Sequence, residues 1–194
     1  MPADPHPAPE ELHPALWRAS QLARCAARCI DTGFPALSNQ LPGGGWPTGT
    51  LVDVLPQQAG LGEMRLLAPA LVKVASRSVV LLQPPHCPQI LALGGMGLAA
   101  SQVLWIKSKK GTDALWAAEQ VLRSGSCGAL LFWPSHVRPE ALRRLNLAAQ
   151  AGETLFFMLR PIAAAQDASP GTAASAAGAQ RDGRGIRQAP RSTT

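Results

Sequence analysis

The chain has 194 residues, 46% of them hydrophobic and only 15% charged, with a formal net charge of +6. That length supports one domain with a sizeable core, and the sparse charge suits a surface that meets other proteins. No apolar run reaches the ~18 residues of a spanning helix, and residues 1–9 show neither the basic flank nor the apolar stretch of a signal peptide, so no membrane role and a cytoplasmic location are expected.

Residues 1–9 are proline-rich and expected to be disordered. Residues 10–30 read as a helix, because Leu12, Leu16, Leu22, Cys25, Ala26 and Cys29 recur at three- and four-residue spacing. Cys25 and Cys29 stand one helical turn apart, but no second ligand pair follows at metal-binding spacing. They read as small apolar residues, as do Cys87 and Cys127, and no metal site is assigned. Residues 34–41 have room for another turn or two of helix. Residues 42–49, Pro-Gly-Gly-Gly-Trp-Pro-Thr-Gly, are dense in turn formers, and Trp46 within them is expected to plug the core.

Five apolar runs follow, at residues 50–55, 78–82, 103–106, 128–133 and 154–159. Most are continuously apolar, which is the pattern of strands buried on both faces. Helical segments separate them at residues 62–76, 88–95, 112–124 and 139–151. Thr112 is expected to cap its helix, Gly125 to close it in the left-handed conformation, and Pro139 to open the last one. Alternating strands and helices predict an α/β fold, a mostly parallel sheet flanked by helices. Trp105, Trp116 and Trp133 lie inside these runs and are expected in the core. Lys107, Lys109 and Lys110 form a basic loop after the third run, at a sheet edge where ligands commonly bind. The loop is within reach of DNA phosphates in principle. Much of the positive excess lies elsewhere, in Arg181, Arg184, Arg187 and Arg191, so charge supports DNA contact only weakly. Residues 163–194 lack large apolar side chains and are expected to form a disordered tail.

The segment between the first run and its helix, residues 55–66, stands where a phosphate loop would stand. Aligning the loop pattern puts Gln57 at the first glycine and Gly62 at the second, with Gly60 between them. Glu63 then falls on the lysine and Met64 on the hydroxyl. Two unit charges ~4 Å apart at an effective dielectric of ~20 interact by about 4 kcal/mol. A carboxylate at the lysine position reverses the sign of that term for a phosphate. Met64 offers no oxygen to magnesium. The segment also reads as an ordinary strand-to-helix turn with Glu63 at the positive end of the helix dipole. Either way no ATP site is expected. No catalytic set and no cofactor can be assigned, and His86 lacks an acid partner.

The order Ile30-Asp-Thr-Gly33, Leu37, then Leu41-Pro-Gly-Gly-Gly-Trp-Pro-Thr-Gly49, strand and loop resembles the core of RecA-type recombinases. That resemblance extends over residues 31–162 and implies a RecA-like, P-loop-type core with a degenerate phosphate loop. In it the family's catalytic glutamate falls on Pro85 and its magnesium-binding aspartate on Trp133. Within that superfamily the chain looks most like the ImuA family of translesion-synthesis proteins. The phrases that carry this are His13-Pro-Ala-Leu-Trp-Arg18, residues 42–49, residues 114–125 and Arg138-Pro-Glu-Ala-Leu-Arg-Arg-Leu145. ImuA-like chains continue with strand-like sequence where this one turns to Ala, Ser, Gly and Arg.

The resemblance implies a non-catalytic accessory of damage-induced, error-prone DNA synthesis. Its partners would be RecA, an ImuB-like polymerase homologue and, through it, an error-prone DNA polymerase. Leu12, Leu16, Trp17, Leu22 and Arg24 are the candidate docking face toward RecA, with packing on the chain's own domain as the alternative. The competing expectation is a cell-division inhibitor like SulA, which binds a tubulin-like division protein. An active ATP-dependent recombinase is the third class, disfavoured by Glu63, Pro85 and Trp133.

Overall fold

The computed structural model describes residues 28–58, 60, 62–161 and 172–174. The candidate docking face in residues 12–24 lies outside the described residues, as do most of the expected N-terminal helix and of the expected disordered tail.

The chain enters through β1 (Cys29–Ile30), which pairs antiparallel with β2 (Trp46–Pro47). Cys29 and Ile30, expected as the end of a helix, are therefore in a strand. Pairing with the strand beyond the glycine turn takes up the backbone of Cys29 and Ile30 instead. Between the two strands lie α1 (Pro35–Ser38) and a 3₁₀ turn over Pro42–Gly44. Asp31 fastens this entry segment to the body. Its carboxylate accepts from the Lys73 ammonium, from Gly33 N–H at 3.1 Å and from Ser38 Oγ at 3.1 Å. Gly33 has φ +83°, and a Cβ there would stand 2.3 Å from Pro69 Cβ, so only glycine allows this approach.

The main sheet contains β3 (Leu51–Val54), β4 (Ser78–Leu82), β5 (Val103–Ile106), β6 (Cys127–Phe132), β7 (Leu155–Leu159) and β8 (Thr172–Ala174). Its order is β5-β4-β6-β7-β3-β8, with every pairing parallel. The five apolar runs are its first five strands, and the bounds of β4 and β5 match the expected ones. β8 falls within the segment expected to be disordered. The outer edge of β3 leaves main-chain groups unpaired, and a backbone ladder needs no large side chain to form there.

The helices are α2 (Glu63–Val74), α3 (Ile90–Gly95), α4 (Gly111–Ser124) and α5 (Pro139–Gln150). They cover the sheet on both faces. Strand residues alternate between two cores. Val52, Val54, Val79, Leu81, Leu131, Phe157 and Leu159 meet Leu67 and Leu71 of α2 and Leu93 of α3. Leu51, Val80, Leu82, Leu130, Phe132 and Phe156 meet Leu122 of α4 and Leu142 and Leu145 of α5. Trp46 plugs the first core as expected. It is 2% exposed and meets Phe157 edge-on, with ring centroids 5.3 Å apart.

Capping follows expectation in part. Gly125 closes α4 at φ +60° and Pro139 opens α5. Thr112 does not cap α4, whose N-cap is Lys110. Starting the helix at Gly111 places Thr112 inside the first turn, where its hydroxyl reaches Asp113 Oδ1 at 3.5 Å. Buried Glu119 on α4 is held by Arg123 of the same helix and by Arg144 of α5, which ties the two helices together.

Candidate functional site

In a parallel sheet the carboxyl ends of the strands are where loops gather ligands. Glu63, Pro85 and Trp133 all follow strands at that edge, behind β3, β4 and β6 respectively. The loop behind β3 turns through Gly60 at φ +89° and Gly62 at φ +99°, and Gly62 is the N-cap of α2. Glycine has no side chain with which to cap the helix. Glu63 reaches back over the loop instead, and Gly60 N–H donates to its Oε1 at 2.5 Å.

Glu63 is only 6% exposed, and among the described residues its Oε2 has no hydrogen-bond partner. A buried carboxylate thus occupies the concavity where a bound anion would need donors. Met64 packs against the first core, and Gln57 is exposed. His86 lies against this loop, since a Cβ on Gly60 would stand 3.2 Å from its Nε2. Pro85 is exposed and offers no acid or base. Trp133 is half-buried against the first core, and its Nε1 is buried without a partner.

β4 leads through α3 to β5 on one side, whereas β6 leads through α5 to β7 on the other, so the sheet opens between β4 and β6. A cleft of about 270 Å³ lies there, with Gln83, Trp133 and His136 in its wall. Gln83 has a positive φ, +57°, unusual for a residue other than glycine, and its amide nitrogen donates to Ser108 O at 2.7 Å. Among the described residues no carboxylate lines the cleft. Among the described residues no group of three His, Cys, Asp or Glu could hold a metal ion. The Cys29 and Cys127 thiols are both pushed up by burial, away from the reactive thiolate form. Cys87, expected to behave as a small core residue, is exposed. No helix among the described residues is long and apolar enough to cross a membrane.

The exposed apolar side chains are more informative. Ile90 and Leu91 of α3 are 64% and 92% exposed, and Leu104 and Trp105 of β5 are 51% and 44% exposed. Trp116 of α4 is 63% exposed. Trp105 and Trp116 are therefore not core residues. β5 is an edge strand and Trp116 sits on the outer face of its helix, so their surroundings end where the molecule ends. Alternation puts Trp105 on the α3 side of the sheet, in register with Leu81, and Leu104 on the α4 side, in register with Val80. Lys107, Lys109 and Lys110 are all exposed directly beyond the strand.

No protein-family model matches the chain. It is 30% identical over 101 residues to the cell division inhibitor SulA of Edwardsiella piscicida, a match that covers 50% of this chain and 60% of that protein. The chain thus spans less than two thirds of that relative's length. Among solved structures it is similar to SulA from Pseudomonas aeruginosa, with 26% identity, a TM-score of 0.48 and coverage of 59% of this chain and 99% of the other.

Proposed function

We propose that the protein is a non-catalytic inhibitor of cell division, deployed in the SOS response, that binds a tubulin-like division protein through the apolar face of α3 and β5. The observation that carries this reading is the 30% identity over 101 residues to a cell division inhibitor. It reverses the order of the two expectations drawn from the sequence, where the ImuA resemblance stood first. The geometry supports a docking role. The loop behind β3 is closed by Glu63, while Ile90 and Leu91 stand in solvent on a short helix whose Leu93 is anchored in the core. Ile90 and Leu91 of α3 share their side of the sheet with exposed Trp105, and exposed large apolar side chains of this kind mark an interaction surface. In this reading the loop is a phosphate loop that has lost its chemistry.

Overproduction in bacteria tests the proposal. Cells are expected to filament, and Leu91→Asp is expected to restore division without lowering the melting temperature. At 92% exposure Leu91 carries little stability, so loss of function reports docking. Unfilamented cells, or capture of RecA and an ImuB-like protein with no capture of the division protein, sink the proposal. That second result supports the translesion reading. One feature favours it: the ImuA-like phrase at residues 114–125 forms α4, whose Trp116 is exposed and open to a partner.

A further inference from the structure

Among the described residues the sheet ends on one side at β5. A strand turns the N–H and C=O of successive residues to alternate sides. Gln83 N–H donates to Ile106 O at 3.0 Å, so the main chain of Ile106, and with it that of Leu104, faces β4. Val103 and Trp105 therefore face outward. The Val103 N–H is taken by Ala100 O, but Trp105 presents both of its main-chain groups to the open edge. Natural edges are blunted by proline, bulges or charge within the strand. β5 has none of these, and it carries exposed apolar side chains on both faces, Leu104 and Trp105. Beside its carboxyl end stand three exposed lysines.

We propose that β5 is a strand-addition site: a partner segment in extended conformation pairs with the outer edge of β5, laying apolar side chains beside Leu104 and Trp105 and acidic side chains beside Lys107, Lys109 and Lys110. The proposal rests on the docking reading above and deepens it, by naming the element used and the chemistry of the occupant. The open backbone edge selects a strand as the occupant. The lysines select acid over base. A second copy of this chain fits poorly. Parallel self-pairing brings three lysines against three, and antiparallel pairing sets them beside residues 98–102, which contain no acid.

Two synthetic peptides serve as probes: four β-branched residues flanked at either end by aspartates, and the same with lysines. The aspartate peptide is expected to bind at least about tenfold more tightly, and its affinity is expected to fall as salt is raised. Trp105→Pro is the decisive variant. It removes an N–H that faces solvent and leaves the bonds to β4 intact, a placement edge strands tolerate. It is expected to abolish peptide binding, whereas Trp105→Phe retains it. Hydrogen exchange at the Trp105 amide in the unaltered chain gives a readout independent of any variant, with protection expected only when the aspartate peptide is present. Equal binding of both peptides, an unprotected Trp105 amide at saturation, or dimerisation that excludes the peptide overturns the proposal. Division protein that still binds Trp105→Pro removes strand addition alone. Division protein that fails to bind the unaltered chain, while the aspartate peptide binds, removes the docking reading alone.

Discussion

Asp53 and Arg160 are 1% and 4% exposed, and three hydrogen bonds of 3.1, 3.0 and 2.5 Å join them across the ends of β3 and β7. Two charges so deeply withdrawn from water hold together only as a pair. Removing one partner strands the other, at a cost of about 3–5 kcal/mol, whereas replacing both with apolar residues of similar volume is often neutral. Asp53→Leu alone is expected to lower stability by that amount in urea titration, and adding Arg160→Met is expected to recover most of it. Asp31 presents the opposite situation, an exposed carboxylate. Its bond to Lys73, helped by Gly33 N–H and Ser38, lowers its pKa from 3.8 to about 2. A carboxylate depressed in the folded state stabilises above its unfolded pKa and stops doing so as pH falls through the folded one. The stability gap between the unaltered chain and Asp31→Asn is therefore expected to be full above pH ~4 and to close toward pH ~2. Urea midpoints measured across that range check it, and added salt should narrow the gap throughout.

Strands buried on both faces write themselves as continuous apolar runs, which is why β4 was legible to the residue; β5 carries an equally apolar run, although Leu104 and Trp105 are exposed. β1 and β2 have two residues each, too few to show any period, and so the expected helix ran on to residue 30. The exposure of Trp105 and Trp116 was not legible either. An apolar side chain in a strand or helix says nothing about whether that element lies at the rim, and strand order decides that. The Asp53–Arg160 pair joins residues 107 positions apart, beyond any local pattern. Glu63 was legible as a carboxylate on the loop, but not its bond to Gly60, which depends on how the two glycines curl. Trp116 gives a direct measure of this limit at the level of α4. At 63% exposure, Trp116→Gln is expected to change stability by less than about 0.5 kcal/mol. A core tryptophan would lose about 3–5 kcal/mol on truncation, so one melting curve separates the two cases.

At the scale of the whole molecule, the phosphate-loop position at the carboxyl edge of the sheet is occupied by the protein itself. Glu63 fills the loop behind β3, Pro85 stands exposed behind β4 and Trp133 leans on the core behind β6. The chemically open surfaces lie elsewhere, on α3 and along β5, where Ile90, Leu91, Leu104 and Trp105 meet solvent. A ligand that binds only the folded state raises stability by RT ln(1 + [L]/Kd). With magnesium–ATP at ~5 mM and a Kd above ~10 mM, that gain is below about 0.3 kcal/mol and the melting temperature moves by only about 1 °C. This flat response is expected for the unaltered chain in a thermal-shift titration. A rise of about 5 °C or more would mean that Glu63 swings away from Gly60 to admit phosphate, and the loop would then be a working site rather than a closed one.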